Sequence, residues 1–86
     1  MKAYIQWFRR STADGSMQSV RFTSRPEDAV GWSTGEEAEN NRLDIARDGV
    51  KIQSAEGRIY WLYDFVVEET AFGKFSISCN LPFLGQ

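Results

Sequence analysis

Twelve carboxylates, ten cationic side chains, one cysteine and no histidine are what this 86-residue chain offers to chemistry. The missing histidine removes the commonest general base at neutral pH and the commonest zinc ligand. Cys79 closes an alternating apolar run, Phe75, Ile77, Cys79, with no base or cation beside it, so its place is that of a small buried hydrophobe and not of a nucleophile. Glu68 and Glu69 are neighbours on a predicted strand and point to opposite faces. Asp64 and Glu68 share a face, but four residues of strand rise set them about 13 Å apart, beyond the roughly 5–10 Å at which two carboxylates cooperate on a glycosidic bond. Gly31, Gly35 and Gly49 fit neither the phosphate-loop nor the dinucleotide spacing. The residues therefore predict a protein that is not an enzyme and uses no metal and no cofactor.

What remains is recognition. Residues 1–25 carry Lys2, Arg9, Arg10, Arg21 and Arg25 against Asp14, whereas residues 26–50 carry seven acids against Arg42 and Arg47. A basic and an acidic side steer partners without deciding the fold. Helix-dipole and capping effects account for Glu27, Asp28, Glu36 and Glu37, but not for Asp44 and Asp48, which fall toward a negative helix end. A partner protein with a basic surface is predicted to meet Glu36, Glu39, Asp44 and Asp48, with Glu39, Asp44 and Asp48 exposed side by side. A second protein-binding surface is predicted on the uncovered sheet face, at Tyr60, Leu62 and Asp64. Two alternatives use the same face. Tyr4, Phe8 and Tyr60, bordered by Arg9, Arg10, Arg21 and Arg58, form a stacking platform for single-stranded nucleic acid, which the net charge of −2 disfavours. Tyr60, Leu62 and Val66 form an apolar patch that a homodimer would cover.

The elements that must position these residues follow from periodicity. Between Arg58 and Cys79 the odd positions read Ile59, Trp61, Tyr63, Phe65, Val67, then Phe75, Ile77, Cys79. This predicts two long strands joined at Thr70-Ala71-Phe72-Gly73, with Trp61 and Phe65 in the core beneath a helix. Residues 2–10 predict a strand with Ala3, Ile5 and Trp7 on one face and Tyr4, Gln6 and Phe8 on the other. Asp14-Gly15 supplies a hairpin turn into a return strand over Met17–Thr23. Pro26 opens a helical turn that Gly31 interrupts, and Ser33 or Thr34 caps a helix over Glu36–Asp48 that Gly49 stops. Val50 and Ile52 begin a short strand that turns at Ala55-Glu56-Gly57, and Phe83 and Leu84 tuck against the edge of the core. The predicted class is α+β: an antiparallel sheet of about five strands, in the order two strands, helix, three strands, with the helix on one face.

Eighty-six residues predict a single domain spanning 1–86. No apolar run approaches the roughly 20 residues of a membrane span. The N-terminus lacks a signal peptide's apolar stretch, and one cysteine permits no internal disulfide, so the predicted location is the cytoplasm. In size, slight acidity and element order the chain, which begins Met1-Lys2-Ala3-Tyr4-Ile5, resembles small phage-encoded anti-CRISPR proteins. That resemblance implies a non-enzymatic inhibitor that binds a CRISPR effector protein over its basic, nucleic-acid-binding surface.

Overall fold

Alternating apolar and polar residues build six strands around one helix among the described residues of the computed structural model, which are 1–10, 13, 17–70 and 73–82. The strands are β1 (Lys2–Arg10), β2 (Met17–Thr23), β3 (Val50–Gln53), β4 (Ile59–Leu62), β5 (Val66–Glu69) and β6 (Phe75–Asn80), with α1 (Gly35–Asp48) between β2 and β3. Every pairing is antiparallel, so the class is α+β as the alternation predicts. The strands do not form one sheet. They form a four-stranded sheet in the order β2-β1-β6-β5 and a separate β3–β4 ribbon. The predicted turns at Asp14-Gly15 and at Ala71-Phe72, and the placing of Phe83 and Leu84, lie outside the described residues.

The split falls inside the run predicted as one long strand. After Leu62 the chain leaves the ribbon, and it enters β5 at Val66 with its phase reversed. Phe65 and Ile77 are buried as expected, whereas Trp61 is 55% exposed. The cause is the partner strand. Cross-strand neighbours share a face, and the register sets Val50 against Leu62 and Ile52 against Tyr60. Val50 and Ile52 need the core, which draws Leu62 and Tyr60 inward and sends Trp61 and Ile59 outward beside Lys51 and Gln53. In a run where both faces are apolar, alternation sets the period and the partner sets the phase.

A bulge reverses β1 in the same way. Ile5 pairs with Phe22 and Trp7 with Arg21, leaving Gln6 without an opposite residue. Ala3 and Ile5 face the core before the bulge and Phe8 after it, while Trp7, predicted with Ile5, turns to the open face. Beyond Tyr4 and Ser78 the β1–β6 pairing stops, and Val30–Trp32 enters the fork. Val30 N–H donates to the Ile5 carbonyl at 2.9 Å, and Trp32 and Phe75 exchange backbone bonds of 2.8 and 2.9 Å. The Ser76 hydroxyl donates to the Val30 carbonyl at 2.9 Å, so the fork leaves that carbonyl satisfied.

Thr34 is the cap residue of α1, accepting from Glu37 N–H at 3.1 Å, and the hydroxyls of Ser33 and Thr34 both donate to the Glu37 carboxylate. The helix lies on β5 and β6 and buries Ala38 and Ile45. Ile45 joins Ile5, Val50, Phe65, Ile77 and Cys79 in one core. Gly49 ends the helix at φ 75°, where a Cβ would also stand 2.5 Å from the Tyr63 ring.

Candidate protein-docking surface

Among the described residues, the β4 strand and the turn after it carry the largest concentration of exposed apolar side chains. Ile59 and Trp61 leave the outer face of the ribbon, and Tyr63 follows with its ring laid on Gly49, which ties the turn to the end of α1. Val66 then starts β5 on the open face of the four-stranded sheet, opposite Ser78. Asp64 stands between these groups. It lines a hollow of about 230 Å³ with Trp61, Leu62, Tyr63 and Asn80. A neighbouring hollow of about 390 Å³ shares Asp64 and Asn80 and extends to Lys2, Val66, Glu68 and Ser78.

Glu68 anchors the second hollow. Lys2 Nζ stands 2.8 Å from Glu68 Oε2, and the hydroxyls of Tyr4 and Ser78 donate to its two oxygens at 3.0 Å. The Lys2 ammonium first, then those hydroxyls, hold the Glu68 carboxyl below the usual carboxylate range against the opposing pull of partial burial. The same ammonium lies 5.4 Å from the centre of the Tyr4 ring. At the edge of this hollow the Cys79 thiol is pushed up to about 11 by burial, which keeps it protonated and poorly nucleophilic.

Two of the predicted site residues do not lie where the sequence placed them. Tyr60 and Leu62 are half-buried on the inner face of the ribbon, and it is Ile59, Trp61 and Tyr63 that reach solvent. Asp64 is exposed as predicted. The helix acids do not form one row. Glu39 and Asp44 are five residues apart, about 140° around a helix, and each pairs on its own side. Arg42 donates to both Glu39 oxygens, at 2.5 and 2.6 Å, and holds that carboxyl below its usual range. Arg47 lies 3.8 Å from Asp44 and 3.5 Å from Asp48, so these two share one cation. Glu36 is exposed in the first turn of α1.

The predicted stacking platform is dispersed as well. Phe8 turns inward and stacks on Trp32 with ring centres 6.1 Å apart, Tyr60 belongs to the other sheet, and Tyr4 is tied to Glu68. Besides Tyr4 with Lys2, the open face presents Trp7 near a cation, with Arg21 at 5.6 Å. On the opposite flank a cleft of about 410 Å³ separates β2 from β3, lined by Val20, Phe22, Ile52 and Leu81 with Lys51 at its edge. Among the described residues no three of Cys, Asp or Glu converge as metal ligands, and no helix is long and apolar enough to cross a membrane.

The exposed position of Trp61 and Tyr63 was missed because their alternation with Phe65 reads as core. The available signal was the polar pair Lys51 and Gln53 on the neighbouring strand, whose face Trp61 and Ile59 must share. No family model matches the chain, and neither a curated protein nor a solved structure is similar to it at a significant level.

Proposed function

We propose that this protein is a small non-enzymatic binding module that docks on a partner protein through the outer surface of β4 and the turn that follows. One observation carries the reading: Ile59, Trp61, Tyr63 and Val66 are 51%, 55%, 52% and 57% exposed within eight residues of sequence. Apolar side chains scattered singly on a surface need no explanation, but Ile59, Trp61 and Tyr63 follow one another along one strand and its turn, and such a grouping points to an interaction site, tryptophan and tyrosine being the residues that dominate interface energies. The carboxylates beside the patch, Asp64 in the turn and Asp48 next to Gly49 at the end of α1, suit a partner with a basic surface.

The specific form of the proposal is an inhibitor encoded by a phage or another mobile element, acting in the host cytoplasm by covering the nucleic-acid-binding surface of a CRISPR effector subunit. Chain size, element order and the acid-bearing helix support it. Capture from an extract of the source cells tests the docking reading, with the parent chain and Trp61→Ser immobilised side by side. A stoichiometric partner held by the parent and reduced at least about tenfold by the variant is expected. Equal retention on both columns would sink it.

A second reading has its own observation. Trp7 is 41% exposed on the open sheet face, Arg21 lies over its ring, and Arg9 leaves β1 on the same side. This is a smaller platform for single-stranded nucleic acid than the one the sequence suggested, and it stands on the basic end of the chain. Fluorescence anisotropy with a labelled single strand decides it: micromolar binding lost in Trp7→Ala would place nucleic acid ahead of protein. A homodimer is the third reading, through Trp61 and Tyr63, and light scattering at high concentration would reveal the doubled mass.

A further inference from the structure

We infer that the hollow beside Asp64 takes an arginine side chain of the partner, with the guanidinium on the Asp64 carboxylate and its planar face against Trp61 or Tyr63. The inference rests on the protein-docking reading above and names what the partner must bring. The hollow offers one anion, two aromatic side chains and the Asn80 amide around about 230 Å³. A carboxylate next to exposed aromatic surface is a receptor for a cation with an apolar stem, because the ring quadrupole and the carboxylate attract the same charge while the stem covers the apolar surface.

Most of the other carboxylates are already served, and Glu56 and Glu69, which like Asp64 pair with no cation among the described residues, do not share the hollow that sets Asp64 beside Trp61 and Tyr63. Glu39 is taken by Arg42, Asp44 and Asp48 by Arg47, Glu27 and Asp28 by Arg25, and Glu68 by Lys2. Glu36 and Glu37 sit in the first turn of α1, where the helix dipole favours them. Among the described residues no cation pairs with Asp64, and Asp64 stands away from any helix N-terminus.

The chain also holds a working example of this recognition in the adjoining hollow. There a single ammonium, Lys2, is bound jointly by a carboxylate and a ring: Glu68 at 2.8 Å and Tyr4 at 5.4 Å. The two hollows share Asp64 and Asn80, so the second site repeats the first with its cation supplied from outside. Arginine fits better than lysine. Its guanidinium is planar, weakly hydrated and forked, so it stacks on an exposed ring and meets a carboxylate with two donors, whereas an ammonium in so open a hollow keeps its water.

Titration of ¹⁵N-labelled protein with N-acetyl-arginine-N-methylamide tests the inference, with the citrulline analogue as a neutral probe of the same shape. The arginine probe is expected to move the Trp61 indole N–H and the Asp64 and Asn80 amides along one saturable curve. The citrulline probe should be weaker by at least about tenfold, the size of a charge-assisted contact. Asp64→Asn should lose the same factor with its melting temperature unchanged, and Trp61→Leu, which keeps apolar surface but removes the ring, should weaken the arginine probe as well. Lys2→Ala should not weaken the arginine probe, because Lys2 is a cation that lines the neighbouring hollow with Asp64 and contributes nothing to holding a second one. Equal shifts from the two probes, or an Asp64→Asn titration identical to the parent's, would overturn the inference. If neither probe binds while Trp61→Ser still loses a captured partner, the docking surface stands and arginine recognition falls. If the arginine probe binds as described but the parent and Trp61→Ser retain the same partners, arginine recognition stands and the docking reading falls.

Discussion

The β5–β6 hairpin and the β3–β4 ribbon are written in the same alphabet and use it in opposite ways. In the hairpin the odd positions Phe65, Ile77 and Cys79 are buried under α1, and the even positions Ser76 and Ser78 carry hydrogen bonds on the other face. In the ribbon the odd positions Ile59 and Trp61 reach solvent, and the even ones, Tyr60 and Leu62, turn inward. The hairpin spends its apolar face on the fold. The ribbon leaves its largest ring, Trp61, outside. A residue's own neighbours in sequence do not separate these outcomes, whereas its neighbour across the strand does.

The sharpest way to break this comparison is to truncate one ring in each region. Phe65→Ala should cost about 3–5 kcal/mol and unfold much of so small a domain, because the site is enclosed on all sides. Trp61→Ser, at the other extreme, should change stability by less than about 1 kcal/mol in urea denaturation, despite removing the larger side chain. If the two midpoints fall together, the assignment of inner and outer faces is wrong.

The joint between the regions gives the next largest effect. Gly49→Ala should cost about 2 kcal/mol or more, since the residue holds φ 75° and its new methyl meets the Tyr63 ring. Combining it with Tyr63→Ala should recover part of that loss, and strict additivity of the two changes would show that the ring does not lie where the structure puts it.

On the open face, Glu68→Gln should cost about 1–2 kcal/mol near neutral pH, by weakening the bonds from Lys2, Tyr4 and Ser78. Its pH dependence has a definite sign. The folded carboxyl lies below its ordinary value of 4.5, so its contribution is complete above that value and is lost as pH falls through the lower, folded one. The parent should therefore lose more stability than the variant between neutral pH and about pH 3, read from melting temperatures; parallel curves would mean that Lys2 does not hold Glu68 in solution. The smallest effect in the series remains Trp61→Ser, and its small size is what makes it a clean probe of docking.

Much of the fold was legible. The helix and its stop at Gly49, the Gly57 turn at φ 86° and the glycine at Gly73 with φ 71° follow from local chemistry, because capping and left-handed backbone depend on a few adjacent residues. The division into two sheets, the bulge at Gln6 and the entry of Val30–Trp32 beside β6 were not legible, because each is set by a strand distant in sequence. At the site, Asp64 was readable as an exposed acid in an apolar run. Trp61 and Tyr63 were read as core because an isolated alternating segment has no sign to tell inside from outside. Glu39 and Asp44 were grouped by sequence proximity, when helix geometry already separates them by about 140°.

The fork between β1 and β6 also governs how the chain folds in time. Tyr4 and Glu68, bonded across the open face, are 64 residues apart, and β1 finds β6 only when that loop closes. Contacts of such separation are paid for in lost chain entropy before they return any stability, so folding should be slow for so short a chain. During synthesis β1 and β2 leave the ribosome long before β6 exists, and β1 must wait with one edge unpaired. The bulge at Gln6 and the charge of Lys2 are the features that keep a waiting edge from joining another copy's edge. Straightening β1 by deleting Gln6 would therefore be felt first as aggregation of the nascent chain, before any change in the finished molecule's stability could be measured.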